Sequence, residues 1–288
     1  MIIVTGANGK LGRAIVEQLL KRVPAGQIAV SVRDPKKSED LIDRGVRVRQ
    51  GDFDDAESLL HAFEGASQVL MVSSGTMGEA GLRQHQLAID TAKKVGAGRV
   101  IYTSHMGSSI SSSFPPCVHH AATEELLNHS DIPYTSLRNG FYAISTMWLL
   151  GEAMKTGELR LPADGPVAWT THADLAEAAA VILAEQKFEG PTPNLTAAEA
   201  IDMEGVAAIA SEIIGSPIRR IVVSDEEYRE SLISQGFPEA RINITLGIFQ
   251  ASRNGDFAHT STALADLIGR SPVNLKDFLK EVLSQQYR

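Results

Sequence analysis

Three glycines near the start of the chain have the spacing of a phosphate-binding turn. They lie in Thr5-Gly6-Ala7-Asn8-Gly9-Lys10-Leu11-Gly12, after the apolar run Ile2–Thr5 and before an amphipathic segment. In such a turn the first glycine permits a tight bend, the second lets backbone approach a pyrophosphate, and the third allows close packing of helix on strand. The N-terminus of the helix then offers free N–H groups to the phosphates. The sequence predicts a dinucleotide site formed by Thr5, Gly6, Asn8, Gly9, Lys10, Leu11 and Gly12.

The residues after the second apolar run indicate which dinucleotide this turn would bind. The run ends in Val32-Arg33-Asp34-Pro35. An acidic residue at this point accepts from the ribose 2′-hydroxyl of NAD, whereas an arginine accommodates the 2′-phosphate of NADP. We expect Arg33 to bind that phosphate, with Lys10 as a second cation, and therefore predict NADP(H) as cofactor. The alternative is that Arg33 is solvated and Asp34 binds the ribose.

A third short run is followed by Gly51-Asp52-Phe53. This position lies beside the adenine of a bound dinucleotide in the predicted arrangement. Asp52 would accept from the exocyclic amine and Phe53 would lie against the ring. The alternative for Phe53 is a place in the hydrophobic core.

Composition excludes several function classes. The 288 residues carry a formal net charge of −8, which argues against a nucleic-acid or anionic-membrane partner. The only cysteine, Cys117, fits a reducing compartment and a structural role. The apolar opening is too short for a signal peptide and no run is long enough to span a membrane, so we expect a cytoplasmic protein. His119 and His120 are adjacent and would point apart on a helix, so we predict no metal site.

Short apolar runs alternate with helical patterns over the first two-thirds of the chain. The predicted strands are 2–5, 27–32, 47–50, 68–72, 99–103 and 134–138. Several are apolar on nearly every residue, which is typical of strands buried on both faces of a parallel sheet. The pattern predicts an α/β fold, a Rossmann-type doubly wound parallel sheet with a smaller, mostly helical C-terminal lobe. We expect the cofactor domain to span 1–138 with a return near 166–186, and the lobe to span 139–288, with helices near 143–156, 174–185, 204–214 and 225–235. The serine-rich stretch 108–113 is expected to be a mobile loop at the carboxyl edge of the sheet.

Taken together, these motifs resemble the atypical short-chain dehydrogenases of the NmrA-like group, and most of all the bacterial NADPH-dependent quinone and triphenylmethane-dye reductases. The resemblance also covers Gln84-His85, Ile101-Tyr102-Thr103-Ser104, His120-Ala121-Ala122-Thr123-Glu124 and, most specifically, the segment 134–142. It implies that Ser73 and Ser74 pass beside the cofactor and that Thr103 and Ser104 line its nicotinamide end. It further implies that Asn139, Gly140, Phe141 and Tyr142 wrap the nicotinamide and form part of a substrate pocket.

The acid pair of ordinary short-chain dehydrogenases is absent. That pair is a tyrosine with a lysine four residues later, which together exchange a proton with a carbonyl substrate. Here the tyrosines at 102, 134, 142 and 228 are followed four residues on by Met106, Arg138, Thr146 and Leu232. A quinone or dye cation takes hydride without an enzyme acid, because its charge delocalises and water protonates it later. We therefore expect a small aromatic or quinone-like substrate and little activity on simple ketones.

Three side chains are candidates for contact with the substrate. His120 either donates a proton or only packs and hydrogen-bonds near the nicotinamide. His105 lies either at the pocket mouth or in an exposed loop. Tyr142 either hydrogen-bonds the substrate or forms an aromatic wall.

Two functions fit these residues. One is an NADPH-dependent reductase of quinones or similar conjugated acceptors. The other is a non-catalytic NADP(H) sensor that acts through a protein partner, as some NmrA-like proteins do. We expect a monomer or a homodimer in either case.

Overall fold

A computed structural model describes residues 1–286 of the chain. Its strands are β1 (Ile2–Thr5), β2 (Ile28–Val32), β3 (Arg47–Gln50), β4 (Gln68–Met71), β5 (Arg99–His105), β6 (Tyr134–Asn139), β7 (Phe141–Tyr142), β8 (Glu158–Pro162), β9 (Trp169–Thr170), β10 (Gly190–Pro191) and β11 (Arg219–Val223). Seven of them form one sheet in the order β10-β6-β5-β4-β1-β2-β3, with every pair parallel. The predicted doubly wound parallel sheet is confirmed.

Thirteen α-helices connect and cover these strands in the described part of the chain. They are α1 (Lys10–Leu19), α2 (Glu39–Asp43), α3 (Ala56–Phe63), α4 (Gly78–Lys94), α5 (Pro115–Asn128), α6 (Ser145–Leu150), α7 (Ala153–Thr156), α8 (His172–Glu185), α9 (Met203–Ile214), α10 (Asp225–Ser234), α11 (Glu239–Arg253), α12 (Ala263–Ile268) and α13 (Leu275–Gln286). No helix among residues 1–286 combines the length and the apolar character that crossing a bilayer requires.

Both faces of the central sheet are buried, as its strand sequences predict. One face packs against α1 and α8 through a cluster that includes Val4, Ile15 and Leu175. The opposite face packs against α3, α4 and α5 through a cluster that includes Phe63 and Tyr102. Helices on both faces leave the carboxyl ends of the strands open at one edge, which is where such sheets bind ligands.

Helices α6, α7, α9, α11 and α13 contribute to a third cluster, which contains Phe141, Trp169 and Phe249. Two small parallel sheets, β7 with β9 and β8 with β11, lie in this part of the chain. The division into a cofactor domain and a smaller lobe stays a prediction.

Two expectations about elements were wrong in detail. The helix predicted over 143–156 is two helices. Gly151 adopts φ 46° and ψ −125°, a conformation that ends α6. Glycine adopts such positive φ values at little cost because it has no Cβ. The strand predicted over 99–103 runs on to His105, so Ser104 and His105 belong to β5 rather than to the loop after it.

Candidate functional site

The glycine-rich turn between β1 and α1 has the conformation that its spacing predicts. Gly6 adopts φ +64°, and a Cβ added at Gly12 would lie 2.4 Å from the backbone oxygen of Gly6. The turn closes through a hydrogen bond from the Gly9 N–H to that same oxygen at 2.9 Å. Leu11 is buried in the core below, so it contributes only backbone to the turn. The backbone conformation at Gly6 and the close contact at Gly12 therefore both require glycine.

Asn8 connects this turn to the segment after β2. Its Nδ2 donates to the backbone oxygen of Asp34 at 2.9 Å, and its Oδ1 accepts from the hydroxyl of Ser38 at 2.6 Å. Asn8 thereby holds the glycine-rich turn next to the segment that follows β2. Ser38 was not predicted as a site residue, because nothing local in the sequence links it to Asn8.

The charges after β2 favour Arg33 over Asp34 as the cofactor contact. Arg33 is exposed and forms no ion pair with any residue of 1–286. The carboxylate of Asp34 accepts from the backbone N–H of Lys36 at 3.2 Å and so caps a short 3-10 turn. Lys10, also exposed, is the first residue of α1. The arrangement leaves two cations available beside the turn.

The candidate adenine contacts lie at the end of β3. The carboxylate of Asp52 accepts from the backbone N–H of Asp54 at 3.1 Å. Phe53 is partly buried, and its ring meets the His85 ring edge-on at 6.4 Å between centroids. Phe53 therefore packs against the core on one side, while part of its ring stays exposed to solvent.

The loop after β4 is held by three side chains through consecutive backbone N–H groups. The N–H groups of residues 72, 73 and 74 donate to Thr5 Oγ1, Thr103 Oγ1 and His85 Nε2, at 2.9, 2.9 and 3.1 Å. Thr5 and Thr103, predicted to contact the cofactor, thus use their hydroxyls to position the segment that carries Ser73 and Ser74.

His85 has a defined tautomer within this arrangement. Its Nε2 accepts from the Ser74 N–H, so the ring proton is on Nδ1 and donates to Thr123 Oγ1 at 2.8 Å. The Thr123 hydroxyl in turn donates to the backbone oxygen of His119 at 3.0 Å. Burial lowers the pKa of His85 to about 3, and the ring stays neutral. In the sequence, His85 stands out only as part of the family resemblance. Sequence reasoning missed its role in positioning the loop after β4.

His120 on α5 pairs with a buried tyrosine. Its Nδ1 lies 2.7 Å from the hydroxyl oxygen of Tyr102, which is also 3.3 Å from Ser73 Oγ. Burial, with smaller contributions from His105 and other neighbouring histidines, lowers the pKa of His120 well below its usual value. Burial raises the pKa of Tyr102. Both groups are therefore neutral near pH 7, and the structure gives His120 a hydrogen-bonding role. Proton donation by His120 stays a prediction.

The hydroxyl of Ser104 is hydrogen-bonded to one member of a partly buried ion pair. Ser104 is 2% exposed and donates to Glu124 Oε1 at 2.7 Å, while Arg138 Nη2 donates to Glu124 Oε2 at 2.8 Å. This network ties β5, α5 and β6 together. It leaves Ser104 less free to bind a ligand than the resemblance implies.

Asn139, the last residue of β6, fits a contact with a nicotinamide carboxamide. Asn139 is 2% exposed, and its Oδ1 is sealed from solvent with no hydrogen-bond partner among the described residues. A buried acceptor without a donor costs about 1–3 kcal/mol, and a carboxamide N–H would satisfy it. At Gly140 an added Cβ would lie 2.1 Å from Thr170 Oγ1. Glycine therefore lets this segment pass close to β9.

Aromatic rings line the same end of the sheet. The Phe141 ring packs edge-on against three rings. Its centroid lies 5.3 Å from those of His105 and Trp169 and 5.0 Å from that of Phe257. His105 is thus partly buried among aromatic rings and does not lie in an exposed loop. The part of the site next to Asn139 is therefore apolar and formed by aromatic rings.

Tyr142 has a different neighbour. The centroid of its ring lies 4.3 Å from the centroid of the His172 ring, and His172 is the first residue of α8. Burial raises the pKa of Tyr142 and lowers that of His172, so both remain neutral near pH 7. Sequence reasoning missed His172, since it follows β9 and is distant in sequence from Tyr142.

Comparison with known proteins identifies the family. A family model described as NAD(P)H-binding matches residues 6–186. The chain is 31% identical to quinone oxidoreductase 2 of Escherichia coli over 285 residues, 99% of each chain. It is 26% identical to an NmrA-like family domain-containing oxidoreductase of Aspergillus flavus over 98% of this chain and 94% of the relative.

Two solved structures with bound cofactor share this fold. The E. coli NADPH-dependent quinone oxidoreductase complexed with NADPH aligns with a TM-score of 0.92 at 32% identity, over 98% of this chain and 100% of that one. The Citrobacter sp. triphenylmethane reductase complexed with NADP(H) aligns with a TM-score of 0.89 at 35% identity, over 98% and 99% of the two chains. The predicted resemblance and cofactor are confirmed. The chain belongs to the NAD(P)H-binding, NmrA-like family and is an NADP(H)-dependent oxidoreductase.

Proposed function

We propose that this protein reduces quinones and related conjugated, electron-poor acceptors, taking hydride from NADPH without an acid pair of its own. The observation that carries the proposal is the lack of a tyrosine–lysine acid pair on helix α5. Helix α5 contains neither tyrosine nor lysine, and His120 is hydrogen-bonded to the buried hydroxyl of Tyr102. An acceptor that needs a proton from the enzyme during hydride transfer has no ready donor there.

The residues around the site support positioning as the main catalytic contribution. Arg33 and Lys10 would hold the adenosine 2′-phosphate and the turn would hold the pyrophosphate. The orphaned Oδ1 of Asn139 would accept from the carboxamide and so fix the nicotinamide ring. When bound, NADPH supplies the hydride. Phe141, packed against the fully buried Phe257, would hold an acceptor against it and exclude water, which converts binding energy into alignment of the reacting atoms.

The names of the relatives agree with this acceptor class. E. coli quinone oxidoreductase 2, a triphenylmethane reductase and an NAD(P)H azoreductase of Xenophilus azovorans, 23% identical over 97% of each chain, are named for quinone, dye and azo substrates. These are conjugated molecules that accept electrons. Their shared chemistry is the acceptor class that the aromatic lining favours here.

The test is a panel of acceptors offered with NADPH, followed by the loss of reduced-nicotinamide absorbance. The panel contains a benzoquinone, a naphthoquinone, a cationic triphenylmethane dye and a simple aliphatic ketone. We expect oxidation of NADPH with the conjugated acceptors and none with the ketone. Tight binding of NADP⁺ with no oxidation across the panel would overturn the proposal and point to the sensor function instead.

A further inference from the structure

His105, the last residue of β5, has its ring proton fixed on one nitrogen. Its Nδ1 accepts from the backbone N–H of Gly107 at 3.1 Å and lies 3.3 Å from Sγ of Cys117. Burial raises the pKa of the Cys117 thiol to about 12, so the sulfur keeps its hydrogen and also donates toward Nδ1. A nitrogen that accepts carries no proton, and the proton of His105 is therefore on Nε2.

That Nε2–H group is a donor without an acceptor. It has no hydrogen-bond partner within residues 1–286, and the ring is only partly buried. Burial lowers the pKa of His105 to about 4, so near pH 7 the ring is neutral. A neutral imidazole held in one tautomer acts as a fixed hydrogen-bond donor rather than as a source of protons.

The surroundings of this donor match a flat carbonyl compound. The rings of Phe114, Phe141 and Phe257 lie 5.9, 5.3 and 5.4 Å from the His105 ring, and the His120 ring stacks at 6.1 Å. Phe141 follows the segment whose orphaned amide fits the nicotinamide. One unpartnered donor among aromatic rings favours a planar ligand that carries an acceptor oxygen.

We propose that His105 donates a hydrogen bond from Nε2 to a carbonyl oxygen of the quinone, and that it thereby makes the site favour carbonyl-bearing acceptors over conjugated acceptors that lack an oxygen. This inference rests on the proposed function and assigns a residue to acceptor selectivity. The hydride brings two electrons to the quinone, and one oxygen of the product becomes anionic. The His105 N–H stabilises that charge without transferring its proton, and a proton from water completes the hydroquinone.

The test compares two acceptors in three proteins. Wild type, His105→Leu and His105→Gln are assayed with NADPH and either a benzoquinone or a cationic triphenylmethane dye whose hydride-accepting carbon bears no oxygen. Loss of one such donor lowers the rate by roughly 100-fold or more in known oxyanion sites. We expect His105→Leu to lower kcat/KM for the quinone at least about tenfold, mainly through kcat, and to change that for the dye less than about threefold. His105→Gln places an amide N–H near the same point and should restore most of the quinone rate.

Equal losses with both acceptors, or an unchanged quinone rate, would overturn the inference. A measurement on the wild-type protein is independent of how the variants fold. With ¹⁵N-labelled histidine, the Nε2–H resonance of His105 should shift when a quinone is added to the NADP⁺ complex, which cannot turn over. An unchanged resonance at saturating quinone would also contradict it. If the wild type reduces only the dye, this inference fails alone; if it reduces neither acceptor, the proposed function fails.

Discussion

The hydroxyl oxygen of Tyr102 on β5 lies 2.7 Å from Nδ1 of His120 on α5. Tyr102 is fully buried, and burial shifts the pKa values of the two groups in opposite directions, each toward its neutral form. The pair therefore joins β5 to α5 through a hydrogen bond between two uncharged groups at neutral pH. This relationship supports the proposal that the acceptor takes hydride without an acid from the protein.

Replacement of Arg33 by alanine should abolish the preference for NADPH over NADH. A charge-assisted hydrogen bond to the 2′-phosphate contributes about 1.5–3 kcal/mol, so the KM for NADPH should rise about 10- to 100-fold while that for NADH changes little. Steady-state kinetics with both cofactors measures the effect. Arg83→Ala is the matched control, because Arg83 is highly exposed and pairs only with Glu79 on its own helix. A preference for NADPH that persists in Arg33→Ala would show that Asp34 or another residue selects the nucleotide.

Gly12→Ala should disrupt the phosphate turn. The added Cβ would lie 2.4 Å from the backbone oxygen of Gly6, a contact that only movement of the turn relieves. We expect loss of NADPH binding by at least about tenfold, measured by nucleotide fluorescence, together with a lower melting temperature. Gly26→Ala is the control, because an added Cβ there meets nothing within 4 Å. Equal behaviour of the two variants would exclude close packing at Gly12 as the reason for glycine.

Thr123→Val should destabilise the protein through His85. The variant leaves the buried Nδ1–H of His85 without its acceptor, at a cost of about 1–3 kcal/mol in the free energy of unfolding. Thr91→Val is the control, because the Thr91 hydroxyl only donates to the Leu87 backbone oxygen one turn earlier in α4, a bond that does not stabilise the helix. Denaturant unfolding of both variants gives the comparison. A loss in Thr123→Val no larger than that in Thr91→Val would contradict the positioning role of His85.

Stability should fall as the pH drops below about 6.5, the usual pKa of histidine. In the folded protein the pKa values of His85 and His105 are lowered to about 3 and about 4, and that of His120 lies well below its usual value. As the pH falls, the unfolded chain therefore binds protons at these histidines before the folded protein does. The stability that is present above pH 6.5 is lost as the pH falls from 6.5 toward the pKa values of the folded protein.

This loss can be measured as the number of protons taken up on unfolding. Between pH 6 and 5 the slope of the unfolding free energy against pH should correspond to uptake of at least about two to three protons, since burial also lowers the pKa values of His119 and His172. The interval from pH 8 to 7, where these rings are neutral in both states, gives the baseline. A slope between pH 6 and 5 equal to that baseline would contradict burial of three neutral histidines.

Local patterns in the sequence predict the sheet and the turn. A strand with apolar residues at nearly every position, such as β1, must be buried on both faces. The glycines at 6 and 12 are required by contacts within a few residues of one another. These features depend on interactions that are close in the chain, so spacing alone predicts them.

The contacts that organise the site depend on distant parts of the chain. His85 meets Thr123, and Asn8 meets Ser38, only after the strands have assembled. The break between α6 and α7 depends on a backbone conformation at Gly151 that a helical pattern does not indicate. Likewise β10 is a glycine and a proline, which have no strand propensity of their own and join the sheet by pairing with β6. Strand propensity and periodicity cannot predict such elements.

The most direct measurement follows the hydrogen itself. NADPH deuterated at C4 of the nicotinamide, prepared separately on each face, is incubated in ordinary water with the protein and a cationic triphenylmethane dye. The central carbon of the reduced dye holds hydrogen that does not exchange with water, so mass spectrometry reports its origin. Direct hydride transfer predicts one deuterium in the product from one of the two labelled faces. A reduced dye without deuterium from either face would contradict direct transfer.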